Sequence, residues 1–209
     1  MKKPFLTICM LLLGAVSLLS CKKDNADNPS GFKDGEEVEL LVDHRFASEN
    51  DVLLTLPKST PTYLWLDGFQ DREPGYNYRV KARFYREKEV IMDAPSYYFK
   101  FVKVISKTQT KETGSFKIQI IQSPIPSGPH IQLFMRDGNY YFKNGSVQVT
   151  AADDIVRNQL KEIYEHAEAI RANGPPTIKL KWTTIEATVI HDPLKFGKAY
   201  QVQSFKFTP

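Results

Sequence analysis

Apolar and polar positions alternate with a period of two in several short segments separated by Pro, Gly, Asn and Asp, the pattern of half-buried strands closed by turns. Val38, Leu40 and Val42 alternate with Glu37, Glu39, Leu41 and Asp43. A polar loop carrying Pro57 and Pro61 leads to Tyr63, Leu64, Trp65 and Leu66, and Asp67-Gly68 is a turn signal. The clearest strand follows Pro74-Gly75, a pair suited to a tight turn with positive φ at the glycine. There Tyr76, Tyr78, Val80, Ala82 and Phe84 share one face, and Asn77, Arg79, Lys81, Arg83 and Tyr85 share the other. The first set reads as core, in which the tyrosine hydroxyls need partners. Residues 96–106 and 116–121 are two further runs rich in aromatic and β-branched side chains.

Pro124, Pro126 and Pro129 make residues 122–129 the best internal boundary. Beyond it, residues 131–135, 139–143 and 146–150 read as a meander joined by type I′ turns at Asp137-Gly138 and Asn144-Gly145. Asn144-Gly145-Ser146 also fits a glycosylation acceptor, but the turn chemistry explains it fully. The period then changes to 3.6: Ile155, Leu160, Ile163, Tyr164, Ala167 and Ile170 fall on one stripe, with Thr150 as the expected cap answered by Asp153, and a stop at Asn173-Gly174-Pro175-Pro176. Two strands, 178–190 and 199–207, close the chain, and a phase shift between Val202 and Phe205 predicts a bulge in the second. Gly197, Tyr200 and Val202 repeat the spacing of Gly75, Tyr78 and Val80, which shared turn chemistry accounts for as well as duplication does. The expected fold is mainly β: an antiparallel, partly open barrel or sandwich, with an OB-like arrangement among the candidates, and one covering amphipathic helix.

The N-terminus speaks to location. Lys2 and Lys3 precede an apolar run from Phe5 to Leu19, too short for a membrane span but right for a signal h-region. The run ends in Leu18-Leu19-Ser20-Cys21, which resembles the lipobox of bacterial lipoproteins; the resemblance implies cleavage before Cys21 and lipidation of that residue. Residues 1–20 are thus the expected signal peptide and residues 21–36, polar and charged, a flexible tether. Residues 37–121 form an expected β-rich part, and residues 130–209 a meander, helix and two closing strands packed on it. The implied location is the bacterial cell envelope, with the protein held by lipid on Cys21 at the outer membrane, on its periplasmic face or at the cell surface.

Charge and composition narrow the partners. The 209 residues include 42% hydrophobic and 25% charged side chains, enough for a packed core. Removing Lys2 and Lys3 from 28 basic residues leaves 26 against 24 acidic ones, so nothing in the charge draws the mature chain to nucleic acid. Both cysteines, Cys9 and Cys21, lie in the first 21 residues, which excludes a disulfide framework or thiolate metal site in the body.

Within residues 61–107, the strings Asp67-Gly68-Phe69, Glu73-Pro74-Gly75-Tyr76-Asn77-Tyr78, Asp93-Ala94, Ser96-Tyr97-Tyr98-Phe99 and Val104-Ile105-Ser106-Lys107 resemble a bacterial envelope lipoprotein domain of unknown function, the family numbered 4377. The resemblance covers about a quarter of the chain and implies an envelope location and a small β-rich domain, without an activity. Pro95 departs from its pattern, and the C-terminal part has no counterpart in it.

Catalytic motifs are missing: there is no His-Glu-x-x-His, Gly-x-Ser-x-Gly, phosphate-binding loop or dinucleotide fingerprint. No cofactor, metal or catalytic residue is therefore expected. Asp43-His44 and His191-Asp192 would form a metal or acid–base site only if the first and last strands were neighbours; their expected state is that of solvated residues at strand ends. Arg79, Lys81 and Arg83 recur at about 6.6 Å along one strand face, a spacing that suits repeating anions. They are the candidate ligand-binding residues, for an acidic glycan or an envelope protein, although a solvated edge face softened by Glu87 and Glu89 has the same pattern. The expected function is a non-catalytic, lipid-anchored structural or ligand-binding module; the rival is an extracytoplasmic hydrolase or metal-dependent enzyme using the scattered His and Asp residues.

Overall fold

The alternation of apolar residues in the first half of the chain produces one curled sheet with a buried inner face. Its strands are β1 (Glu37–Val42), β2 (Leu53–Thr55), β3 (Thr60–Thr62), β4 (Trp65–Asp67), β5 (Tyr76–Arg86) and β6 (Tyr97–Gln109), in the order β3-β2-β1-β5-β6-β4. In this computed structural model residues 31–87, 97–123, 128–143, 145–173 and 179–209 are described. The signal peptide, Cys21, most of the tether, Glu89, the Asp93–Ser96 part of the family resemblance, Asn144 and the helix stop after Asn173 lie outside the described residues. Val38, Leu40, Val42, Tyr78, Val80, Ala82, Phe84 and Phe99 fill the concave side of the sheet, each less than 9% exposed. Full burial of a Val, Leu or Phe side chain contributes about 1.5–3 kcal/mol, so this inner face holds the open sheet in its curl.

The second sheet runs β10-β11-β12-β14-β13-β7, from β7 (Phe116–Gln119), β10 (Leu133–Arg136), β11 (Asn139–Phe142), β12 (Val147–Ala151), β13 (Thr184–His191) and β14 (Ala199–Thr208). A short ladder of β8 (Ile121–Gln122) and β9 (His130–Ile131) leads into it. The helix α1 (Asp154–Asn173) buries Val156, Leu160, Ile163 and Ala167 in a core shared with Leu133, Phe142, Val149, Ile185, Val189 and Val202. Strands hold 49% of the described residues and helix 12%, so among them the chain is mainly β with a half-barrel sheet, a second sheet and one helix. Residues 33–209 form a single compact unit. The sheets are antiparallel except for one parallel pair in each, β4 with β6 and β12 with β14.

Several local expectations need correction. The polar loop after β1 contains the hairpin β2–β3, with Pro61 in the terminal strand β3, where a missing N–H is tolerated. Asp153, not Thr150, caps α1: its Oδ1 accepts from the Val156 N–H at 2.8 Å, while Thr150 remains in β12 and donates its hydroxyl to Asp192 Oδ2 at 2.6 Å. With the helix starting later, Val156 takes the place of Ile155, which is 70% exposed. The second meander turn spans four residues between Phe142 and Val147, with Lys143 and Gly145 both at positive φ; the first has Asp137 at φ 51° and Gly138 at 71°, as type I′ requires. The bulge in β14 is present: Thr188 pairs with Ser204 and Val189 with Val202, leaving Gln203 as the extra residue.

The two turns with matching Gly-x-x-Tyr-x-Val spacing pack on each other. Gly75 has φ +86° and Gly197 φ +80°, and a Cβ on Gly75 would lie 2.6 Å from the Phe196 ring, while one on Gly197 would lie 3.2 Å from the Tyr76 ring. Tyr76 and Phe196 meet edge to face at 5.6 Å. Each glycine makes room for the other turn's aromatic ring, which fastens the start of β5 to the start of β14. Tyr78 finds its hydroxyl partner in the Glu73 backbone N–H at 3.0 Å.

Candidate functional site

Side chains directly opposite on neighbouring strands share a face, so the registers define the outer side of the half-barrel row by row. One row crosses Trp65 of β4, Tyr98 of β6 and Tyr85 of β5; the next Asp67, Lys100, Arg83 and Glu37; the third Lys103, Lys81 and Glu39. Arg79 follows beside Ser106 and Leu41. The expected trio Arg79, Lys81 and Arg83 thus lies on one outward face, opposite the core, as its alternation required.

The trio is paired, however, and by residues of β1. Arg79 Nε donates to Glu39 Oε2 at 2.7 Å, and Lys81 and Arg83 reach Glu37 at 3.1 and 2.9 Å. The Arg83 hydrogen bond, followed by that of Lys81, holds the Glu37 carboxyl below its usual range. These exposed pairs contribute little stability, but they occupy the cations that the stripe would offer a ligand. Lys100 and Lys103 of β6 are exposed and form none of the described ion pairs. Their position was hidden in the sequence by two bulges: β6 pairs with β5 at Phe101↔Ala82, Lys103↔Lys81 and Val104↔Val80, skipping Val102 and Ile105. A strict period of two puts Lys100 and Lys103 on opposite faces; the skipped residue returns them to the same one.

Asp43-His44 and His191-Asp192 do converge, although the two histidines were expected to be solvated. His44 is 3% and His191 9% exposed, and His44 Nδ1 lies 2.8 Å from His191 Nε2. His44 Nε2 is 3.2 Å from Glu112 Oε2, in the segment between the two sheets. A neutral His44 that donates from Nε2 to the carboxylate must accept at Nδ1 from His191 Nε2–H, which leaves a lone pair on His191 Nδ1. That atom is buried without a partner among the described residues, on a ring whose centroid lies 5.2, 5.5 and 5.6 Å from those of Phe116, Tyr200 and Phe196. Burial, reinforced by the neighbouring His44, lowers the His191 pKa to about 4.

The aspartates of the two dipeptides point elsewhere. Asp43 forms a two-pronged pair with Arg45 at 2.8 and 2.9 Å; burial opposes its charge, but those bonds prevail and keep its pKa below the ordinary value. Asp192, 3% exposed, accepts from Thr150 and from the backbone N–H groups of Leu194 and Lys195. Among the described residues no group of three His, Cys, Asp or Glu side chains is placed to hold a metal ion. The cluster is a polar fastener between the sheets, and its free nitrogen is shut off from solvent.

A cavity of about 200 Å³ lies between β2 and β4, lined by Phe46, Asp51, Leu53, Leu64, Phe69 and Arg72 among others. Its charged residues are engaged: Arg72 reaches both Asp51 oxygens, at 2.5 and 3.0 Å, donates to the Asp43 carbonyl at 2.6 Å and lies over the Phe46 ring at 4.7 Å, although its Nε is buried without a partner among the described residues.

No family model, curated protein or solved structure matches this chain.

Proposed function

We propose that the protein is a lipid-anchored, non-catalytic module of the bacterial envelope that holds an anionic partner on the outer face of β1, β5 and β6. The observation that carries this reading is the pair Lys100 and Lys103, exposed beside Arg79, Lys81 and Arg83. Across the face five cations meet three carboxylates, Asp67, Glu37 and Glu39, an excess suited to an acidic glycan or the acidic surface of an envelope protein. The ordering of Lys2-Lys3, the apolar run and Leu18-Leu19-Ser20-Cys21 supports anchoring at the outer membrane, and the likeness of residues 61–107 to the domain family numbered 4377 points to the same compartment.

The rival reading, a hydrolase or metal-dependent enzyme, is favoured by the convergence of His44 and His191. It ranks second because the unpartnered nitrogen is closed to solvent and both neighbouring aspartates are engaged elsewhere. The deciding experiment is titration of the mature protein with polygalacturonate at low and high salt. Binding that weakens steeply with salt, by screening over about 10 Å at 0.1 M, is expected; a wild-type protein that binds no polyanion at low salt overturns the reading.

A further inference from the structure

The row that borders the cations is aromatic and faces outward, so core packing does not explain it, although Tyr85 is tied to Arg83. Trp65 is 63% exposed although it sits in register with Tyr98 on a paired strand. Tyr98 and Tyr85 stack with centroids 5.7 Å apart and planes at 16°, which sets a pair of half-buried rings beside the Trp65 position. At about 4.8 Å per strand this row spans about 10 Å, and the row of Lys100 and Arg83 lies about 7 Å further along the strands. Resting on the anionic-partner reading, we infer that the partner is a uronic-acid glycan: its sugar rings stack on Trp65, Tyr98 and Tyr85, and its carboxylates lie over Lys100, Lys103 and Arg83.

The chemistry separates this ligand from other polyanions. The apolar C–H face of a pyranose covers an exposed aromatic ring, whereas an acidic polypeptide or polyphosphate supplies charge without a ring to stack. A single-stranded nucleic acid supplies both stacking bases and charge. The mature chain's balance of 26 basic against 24 acidic side chains, however, gives it no general attraction to nucleic acid.

Trp65 also provides the readout. The chain has two tryptophans, and Trp182 is 7% exposed, so a change in emission on ligand addition reports the exposed Trp65. The experiment titrates the mature protein at low salt with polygalacturonate, polyglutamate and a single-stranded oligonucleotide, each at equal charge concentration. The expected result is a shift in tryptophan emission with polygalacturonate alone, and at least tenfold tighter binding of it than of polyglutamate. Trp65→Ala should remove that tenfold preference and leave polyglutamate binding unchanged, while Trp65→Phe keeps most of the preference. Equal binding of polygalacturonate and polyglutamate by wild type, or a Trp65→Ala variant that retains the preference, overturns the glycan assignment and leaves the anionic-partner reading standing. Tighter binding of the oligonucleotide overturns it in favour of nucleic acid, and a wild type that binds none of the three overturns both.

Discussion

His44 Nδ1 lies 2.8 Å from His191 Nε2, joining the segment after β1 to the last residue of β13. The burial of His191 at this contact makes stability depend on pH. His191 has a pKa of about 4 in the folded protein against an ordinary value of 6.5, so the unfolded chain takes up the proton first as pH falls. The contribution is therefore complete above pH 6.5 and is lost progressively between pH 6.5 and 4. Between pH 7 and pH 5 the loss amounts to about 2 kcal/mol, at 1.36 kcal/mol per pKa unit. Urea unfolding at the two pH values should show this drop in the wild type and a much smaller one in His191→Gln; equal drops in both proteins would remove His191 as its source.

The glycine turns make a second prediction. Gly75→Val forces a β-branched residue to φ +86° and drives its Cβ into the Phe196 ring. Backbone strain costs about 1–3 kcal/mol and overpacking about as much again. The combined loss should be about 3 kcal/mol or more, read as a fall in the thermal midpoint. Adding Phe196→Ala to Gly75→Val should recover only the overpacking part relative to Phe196→Ala alone. Full recovery would show that the backbone at Gly75 is unstrained.

How far the fold was legible follows from the kind of information each element carries. The two faces of β5 were readable because alternation is local and Tyr78, Val80, Ala82 and Phe84 obey it without a break. The pairing of Glu37 and Glu39 with the cations of β5 was not, because it depends on β1 lying beside β5, and strand order leaves no local trace. Lys103 was lost for a different reason: a bulge breaks the period on which the reading rests. The histidine cluster depended on the tertiary arrangement, since His44 and His191 are 147 residues apart and each looks like a polar residue at a strand end. The uninterrupted Gly-x-x-Tyr-x-Val spacing was visible, but its meaning, two turns packed face to face, required the tertiary arrangement.

Thr150 and Asp153 offer a direct comparison between an expected and an observed role. Asp153→Ala removes the accepted cap of α1 and should cost about 1 kcal/mol. Thr150→Val leaves the cap intact and instead deprives the buried Asp192 carboxylate of its hydroxyl partner, at a cost of about 1–3 kcal/mol. Denaturant midpoints of the two variants check this. An additive double variant is expected if they act through separate contacts; a Thr150→Val variant as stable as wild type would remove the hydroxyl from the account.

Anchoring is tested at Cys21, one of two cysteines in the chain and the one that ends the apolar run. A single acyl chain holds a protein only marginally, so stable anchoring requires more than one lipid signal. Cys21→Ala should move the protein from the membrane into the soluble envelope fraction, while the folded body keeps its thermal midpoint. A variant that stays with the membrane after normal removal of the leader would overturn lipidation at this residue.

The cations of the outer face differ in what they have to give a ligand, and their variants should differ accordingly. Arg79 is already engaged by Glu39, and Lys81 and Arg83 share Glu37, so an incoming anion must displace a carboxylate to reach them. Among the described residues Lys100 and Lys103 have no such partner, and their charge is available at once. Replacing both by Gln should therefore weaken polygalacturonate binding more than replacing Arg79 alone, and should flatten its salt dependence. Glu37→Gln should act in the opposite direction: it releases Lys81 and Arg83 and strengthens binding at low salt. All three proteins should keep thermal midpoints close to wild type, because exposed pairs of this kind contribute little to stability. If Arg79→Gln weakens binding as much as the double lysine variant, or if Glu37→Gln leaves it unchanged, then the anion does not compete with the β1 carboxylates, and the ligand must lie away from this part of the sheet.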